Sequence, residues 1–161
     1  MTAQLWLDSI AADGTRIAAI DPAHLTLPVP SCPGWTVRDG IVHTAGAHRW
    51  ATAFLQAGPD SKERFVPDVS DAPDGDAVLQ WYAGVNAALL DELSMLQRDL
   101  LMQAVAPRGG RELLSGGYDS ETLQTLSGAF TPAQLLANLQ SIQDALTAMA
   151  AQPNPRIAAE L

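Results

Sequence analysis

Apolar residues recur at intervals of three and four in four separate stretches of this chain, and nowhere do apolar and polar positions alternate for long enough to make a strand. The pattern predicts an all-α protein. The first helix is expected over residues 2–20, with Leu5, Ile10, Ile17 and Ile20 toward the core; Gly14 weakens it and Asp21-Pro22 ends it. The second runs over 37–57, with Val37, Ile41, Ala45, Thr52 and Leu55 on one side. Thr36 caps it, Asp39 completes a capping box, and Gly58-Pro59 stops it. Residues 60–75 are rich in Asp and Pro and read as a loop. The third helix, 76–102, carries Leu79, Tyr82, Asn86, Leu89, Leu93, Leu96 and Leu100, and Pro107 marks its end. The fourth starts at Thr131-Pro132-Ala133-Gln134, a capping box with proline in the first turn, and carries Leu135, Leu139, Ile142, Leu146 and Met149 to about residue 151. A structureless connection from 107 to 130 would be long for a compact domain. A short helix near 120–126 is therefore expected inside it, covering one end of the bundle. The economical architecture is a four-helix bundle with a long connection between helices 3 and 4, a single domain over 1–161.

Composition narrows the function classes. A formal net charge of −9, with no basic cluster to offset it, repels phosphate backbones and anionic lipid, so neither nucleic acid nor membrane is an expected partner. The single cysteine, Cys32, has no partner for an internal disulfide. Met1 to Asp8 lacks the basic start and long apolar run of a secretory signal, and a cytoplasmic location is expected.

Chemistry-bearing residues concentrate on the second helix. Asp39, His43, Ala47 and Trp50 follow at spacings of four, four and three and share a face. His48 stands about 140° from His43 at 3.6 residues per turn, so the two cannot chelate one ion from a regular helix. His43 reads either as a metal ligand pointing into the bundle, with Asp39 orienting its other ring nitrogen, or as a partly buried histidine bonded to Asp39. Cys32 reads as a small packing residue more readily than as a nucleophile. Arg108 and Arg111, in the glycine-rich connection, could make an anion site or simply be solvated. Trp35, Trp50, Trp81 and Tyr82 read as packing residues more readily than as a ligand-stacking platform, Asp91 and Glu92 as a solvated helix face, and His24 as a solvated linker histidine.

The run Val29-Pro30-Ser31-Cys32-Pro33-Gly34-Trp35-Thr36-Val37-Arg38-Asp39, followed by His43 and His48-Arg49-Trp50, resembles the start of the second helix in the mycothiol-dependent maleylpyruvate isomerase family, within the DinB-like group of metal-binding bundles. The resemblance is carried by residues 27–50 and fades beyond the third helix. It implies a DinB-like four-helix bundle whose divalent, zinc-like metal is bound by His43. The family presents further acid and histidine ligands one turn apart on the last helix, where this chain has Gln140 and Asp144. Full activity in the family uses the metal to activate the thiolate of mycothiol or a similar thiol. By resemblance this chain is then a metal-assisted, thiol-dependent isomerase or S-transferase with a depleted, weakly binding metal site, and Arg108, Arg111 and Trp50 contact the small-molecule ligand. The residues themselves leave two other readings: a non-catalytic bundle that binds a small apolar ligand or a partner protein, and a homodimerising bundle with no pocket.

Overall fold

The computed structural model describes residues 3–58, 61–105 and 120–150, and among them the protein is helical with no strand. Five α-helices follow one another: α1 (Ala3–Ala18), α2 (Val37–Ala57), α3 (Ala77–Val105), α4 (Ser120–Ser127) and α5 (Pro132–Ala150). The short helix expected within the long connection is α4, and the expected fourth helix is α5. One element went unread in the sequence: Asp21-Pro22 ends α1 but also starts a single 3-10 turn, Pro22–His24, because the Asp21 carboxylate accepts from the Ala23 amide at 2.8 Å. No helix among the described residues is long and apolar enough to cross a membrane.

α3 is the spine. α2 packs along it, α5 packs against both α3 and α1, and α4 packs on α3. Two apolar clusters result. One joins Leu25, Ile41 and Ala45 to Val78, Leu79, Tyr82 and Val85, with Ile17 from the end of α1 and Ile20 just after it packed against it. The other joins Leu100 to Leu123 of α4 and Leu135 of α5, so α4 covers this end of the helix stack. The α5 cap forms as its sequence predicts: the Gln134 amide donates to Thr131 Oγ1 at 3.3 Å and Gln134 Oε1 accepts from the Thr131 amide at 2.8 Å. The side chains of Leu5, Ile142, Leu146 and Met149, also expected in the core, lie outside the described residues.

The segment after α2 is strapped back across that helix. Arg38 donates to Pro73 O at 2.8 Å; three turns later Arg49 donates to Asp68 O at 2.8 Å and grips the Asp71 carboxylate with both Nη atoms at 2.6 and 2.7 Å. Eleven residues separate the two arginines, which returns the helix to nearly the same azimuth. Between them lies Gly46, where an added Cβ would stand 3.3 Å from Pro67 and Val69. The strap thus runs close over a bare patch of helix, held at both ends by charge-assisted bonds.

Candidate functional site

The start of α2 shows why Cys32-Pro33-Gly34-Trp35-Thr36 has the composition it does. The Trp35 amide donates to Cys32 O at 3.0 Å, and Gly34, at φ +84°, takes the left-handed position of a turn whose preceding corner is Pro33. Leaving the turn, Val37 donates to Leu27 O at 2.9 Å, which aligns Thr36 to cap the helix. Asp39 Oδ2 accepts from both the Thr36 amide (2.8 Å) and the Thr36 hydroxyl (2.7 Å), and these bonds hold its carboxyl below the usual range. Asp39 is therefore engaged in the cap and does not orient His43, contrary to the sequence expectation.

His43 does not point into the bundle. It is exposed, with its ring 5.1 Å from Trp35 in an edge-on arrangement. Ala47 and Trp50 follow it outward, and Trp50 stacks on Phe54 at 5.7 Å. The histidine that faces inward is His48, whose ring lies 5.7 Å from that of Tyr82. Its Nδ1 is buried without a hydrogen-bond partner, and burial lowers its pKa. The sequence did carry the signal: Ile41, Ala45, His48, Thr52 and Leu55 run at spacings of four, three, four and three, so the apolar stripe that packs α2 on α3 passes through His48 and leaves His43 on the opposite side.

The remaining expected site residues are dispersed. Gln140 and Asp144 are exposed and bonded to each other at 2.8 Å on α5, which packs on α1 and α3 rather than on α2. No hydrogen bond, ion pair or ring contact joins either of them to His43 among the described residues. Those residues also contain no group of three or more His, Cys, Asp or Glu side chains that could hold a metal ion. The donor set presented here does not fit the divalent metal that the resemblance implies. Arg108 and Arg111 lie outside the described residues. His24 is exposed on the 3-10 turn, and Cys32 is partly buried with Sγ 3.9 Å from the Ser31 hydroxyl.

One feature that the sequence did not reveal is a cleft of about 400 Å³ between α2 and α3. Ala53, Val85, Ala88 and the Trp81 indole give it apolar walls; Thr52 and Gln56 add polar edges, and Arg49 stands at one end. The Arg49 guanidinium lies 5.0 Å over the Trp81 ring, and Trp81 Nε1 donates to Asp71 at 3.1 Å. This web raises the arginine pKa, chiefly through the bond to Asp71, and lowers that of Asp71 through the same bond. At the other end Gln56 donates to Glu92 at 2.5 Å, joining the two helices. Gly84 lines the cleft at a solvent-exposed position, and a Cβ there would meet nothing within 4 Å. Glycine inside a helix costs about 0.5 to 1 kcal/mol relative to alanine. Neither a positive φ nor a close neighbour accounts for it at this position.

His48 makes the α2–α3 contact sensitive to acid. Its folded-state pKa lies below 6.5, so the unfolded chain takes up the proton first. The group's contribution is fully present above pH 6.5 and is lost as pH falls from there through the folded value. The carboxylates Asp39, Asp68 and Asp71, lowered below 3.8, act only at more acid pH. Melting temperature is therefore expected to fall as the pH drops below 6.5 in the native protein and to change less in His48→Phe. Parallel slopes for the two would show that His48 is not buried as described.

A family model described as the mycothiol maleylpyruvate isomerase N-terminal domain matches residues 7–118. The match takes in most of α1, then α2, the strap and α3, and stops before α4 and α5. No curated protein and no solved structure matches the chain.

Proposed function

The chain belongs to the mycothiol maleylpyruvate isomerase N-terminal domain family, and from that membership we propose that it binds a small unsaturated carboxylate, or the thiol conjugate of one, in the cleft between α2 and α3. The observation that carries this reading is the α2–α3 cleft itself, onto which Gly84, an exposed helix-interior glycine, opens with no neighbour within 4 Å of where its side chain would stand. A ligand gives that space a use. The walls suit a short apolar or unsaturated body. At the Arg49 end, three of the five guanidinium donors are engaged by Asp68 and Asp71; the other two are available to a carboxylate. The Asp71 bond keeps the guanidinium in place before any ligand arrives, which lowers the ordering cost of binding.

A second reading, thiol-dependent isomerisation or S-transfer, rests on His43, which the sequence resemblance matches to a metal ligand of the family and which lies on a solvent-accessible face. A bound metal would supply thiolate activation in that chemistry, and His43 would be one ligand of the usual three or more.

Calorimetric titration with mycothiol, with maleylpyruvate and with their conjugate tests the cleft. Gly84→Phe is expected to weaken binding strongly by occupying the cleft that Gly84 lines. Gly84→Ala is expected to raise the ligand-free stability by about 0.5 to 1 kcal/mol, as an unstrained glycine replacement in a helix should. Undiminished binding to folded Gly84→Phe would place the ligand elsewhere. Zinc titrated into the same preparations is expected to bind weakly and not at all to His43→Ala; tight, stoichiometric zinc together with turnover would favour the second reading.

A further inference from the structure

The face of α2 opposite the core is aromatic and exposed. His43, Ala47, Trp50 and Phe54 are all solvent-facing, Trp50 at 46% and Phe54 at 45%, and Trp35 extends the stripe at 38% through its contact with His43. Between Gly40 and Ala57 the helix carries one charged side chain, Arg49, which is turned to the strap and held by Asp71. In a chain of net charge −9 this is a conspicuously uncharged surface. It also lies well away from the cleft around α2, so covering it leaves Arg49 and Gln56 accessible.

We infer that this stripe is the contact between two copies of the chain, with the two α2 helices antiparallel across a two-fold axis. Three observations select a second copy. The spacing from His43 to Ala47 to Trp50 to Phe54 is four, three, four, which reads the same in reverse; an antiparallel pair then sets Ala47 against the other copy's Trp50 and His43 against its Phe54. A large ring faces a small side chain twice, the complementarity that lets helices approach to about 8–10 Å. An identical copy brings an equally uncharged face, so no unpaired charge is buried even though both partners are acidic. The area sets the strength. Half-exposed rings contribute roughly 100 Å² each, so a patch of three with His43 and Ala47, counted on both copies, falls below the smallest stable interfaces of about 1,200 Å² in total. The dimer is accordingly weak and concentration-dependent.

Sedimentation velocity of the whole chain from about 5 to about 500 µM, a range that spans weak association, reads this directly. The weight-average mass is expected to climb toward twofold. Ala47→Glu is expected to stay monomeric throughout with its helical circular dichroism and melting temperature intact, because position 47 is exposed. His43→Glu and Phe54→Lys are each expected to weaken association, and mixing the two to restore it, since the register places these positions opposite one another. A native chain that remains monomeric at the highest concentration overturns the proposal. So does a dimer indifferent to Ala47→Glu, which would use another face, or a failure of the mixed pair to recover, which would exclude the antiparallel register.

Discussion

Gly14→Ala lowers the stability of the protein by about 1 to 3 kcal/mol, the range for forcing an extra carbon into a packed core. The usual expectation has the opposite sign, because alanine is the better helix former by about 1 kcal/mol. Gly14 sits inside α1, and a Cβ there would lie 2.2 Å from Asn86 Nδ2, 2.6 Å from its Cγ and 2.7 Å from its Oδ1. The amide of Asn86 therefore occupies the space that a side chain at Gly14 would need. It has little room to withdraw, since Asn86 is fully buried and engaged in interactions of its own. The check is a thermal or urea melt of Gly14→Ala beside Gly84→Ala, with the two shifts expected to have opposite signs. Adding Asn86→Ala should make Gly14→Ala less harmful than in the native background, as expected of two positions that share one space. A stabilised Gly14→Ala would mean that α1 stands farther from α3 than described.

Tyr82→Ala costs about 3 to 5 kcal/mol, the range for removing a buried aromatic ring, and Tyr82→Phe is neutral or stabilising by up to about 1 kcal/mol. The ring is fully buried in the cluster that joins α2 and α3, and it is also the surface on which His48 rests. Its hydroxyl is buried without a hydrogen-bond partner, and burial pushes its pKa up to about 12. An unsatisfied buried hydroxyl carries a desolvation penalty, so phenylalanine keeps the packing and sheds the penalty. Urea denaturation of the two variants gives both free energies. A Tyr82→Phe loss above about 1 kcal/mol would reveal a hydroxyl partner.

Both predictions involve residues that the sequence had placed without showing their role. Tyr82 and Asn86 fall at core spacing on the third helix, and Gly14 stands out as a weak point in the first. Only the packed pair of helices shows that the weak point is where Asn86 fits. Gly84 has the same letter and a similar helical setting but the reverse meaning, because what matters is the presence or absence of a neighbour within 4 Å.

The elements themselves were legible. Helical periodicity, the Thr36 and Thr131 caps, and the proline and glycine breaks placed α2 to the residue and α1, α3 and α5 to within a few residues at each end, because these are local effects of backbone geometry within one or two turns. The family resemblance was legible for the same reason, being carried by a turn and a cap that are contiguous in the chain. The direction of His43 was within reach too, had the apolar stripe through Ile41, Ala45 and Leu55 been extended to His48. What belonged to the tertiary structure alone was the meeting of side chains distant along the chain: Arg49 with Asp71 over Trp81, the cleft above Gly84, and the separation of Gln140 and Asp144 from α2. Periodicity states which face of a helix is apolar. It carries no information about which other helix that face meets, since the free energy of burial depends on area and not on partner identity, and the choice among partners is made by all the helices packing at once.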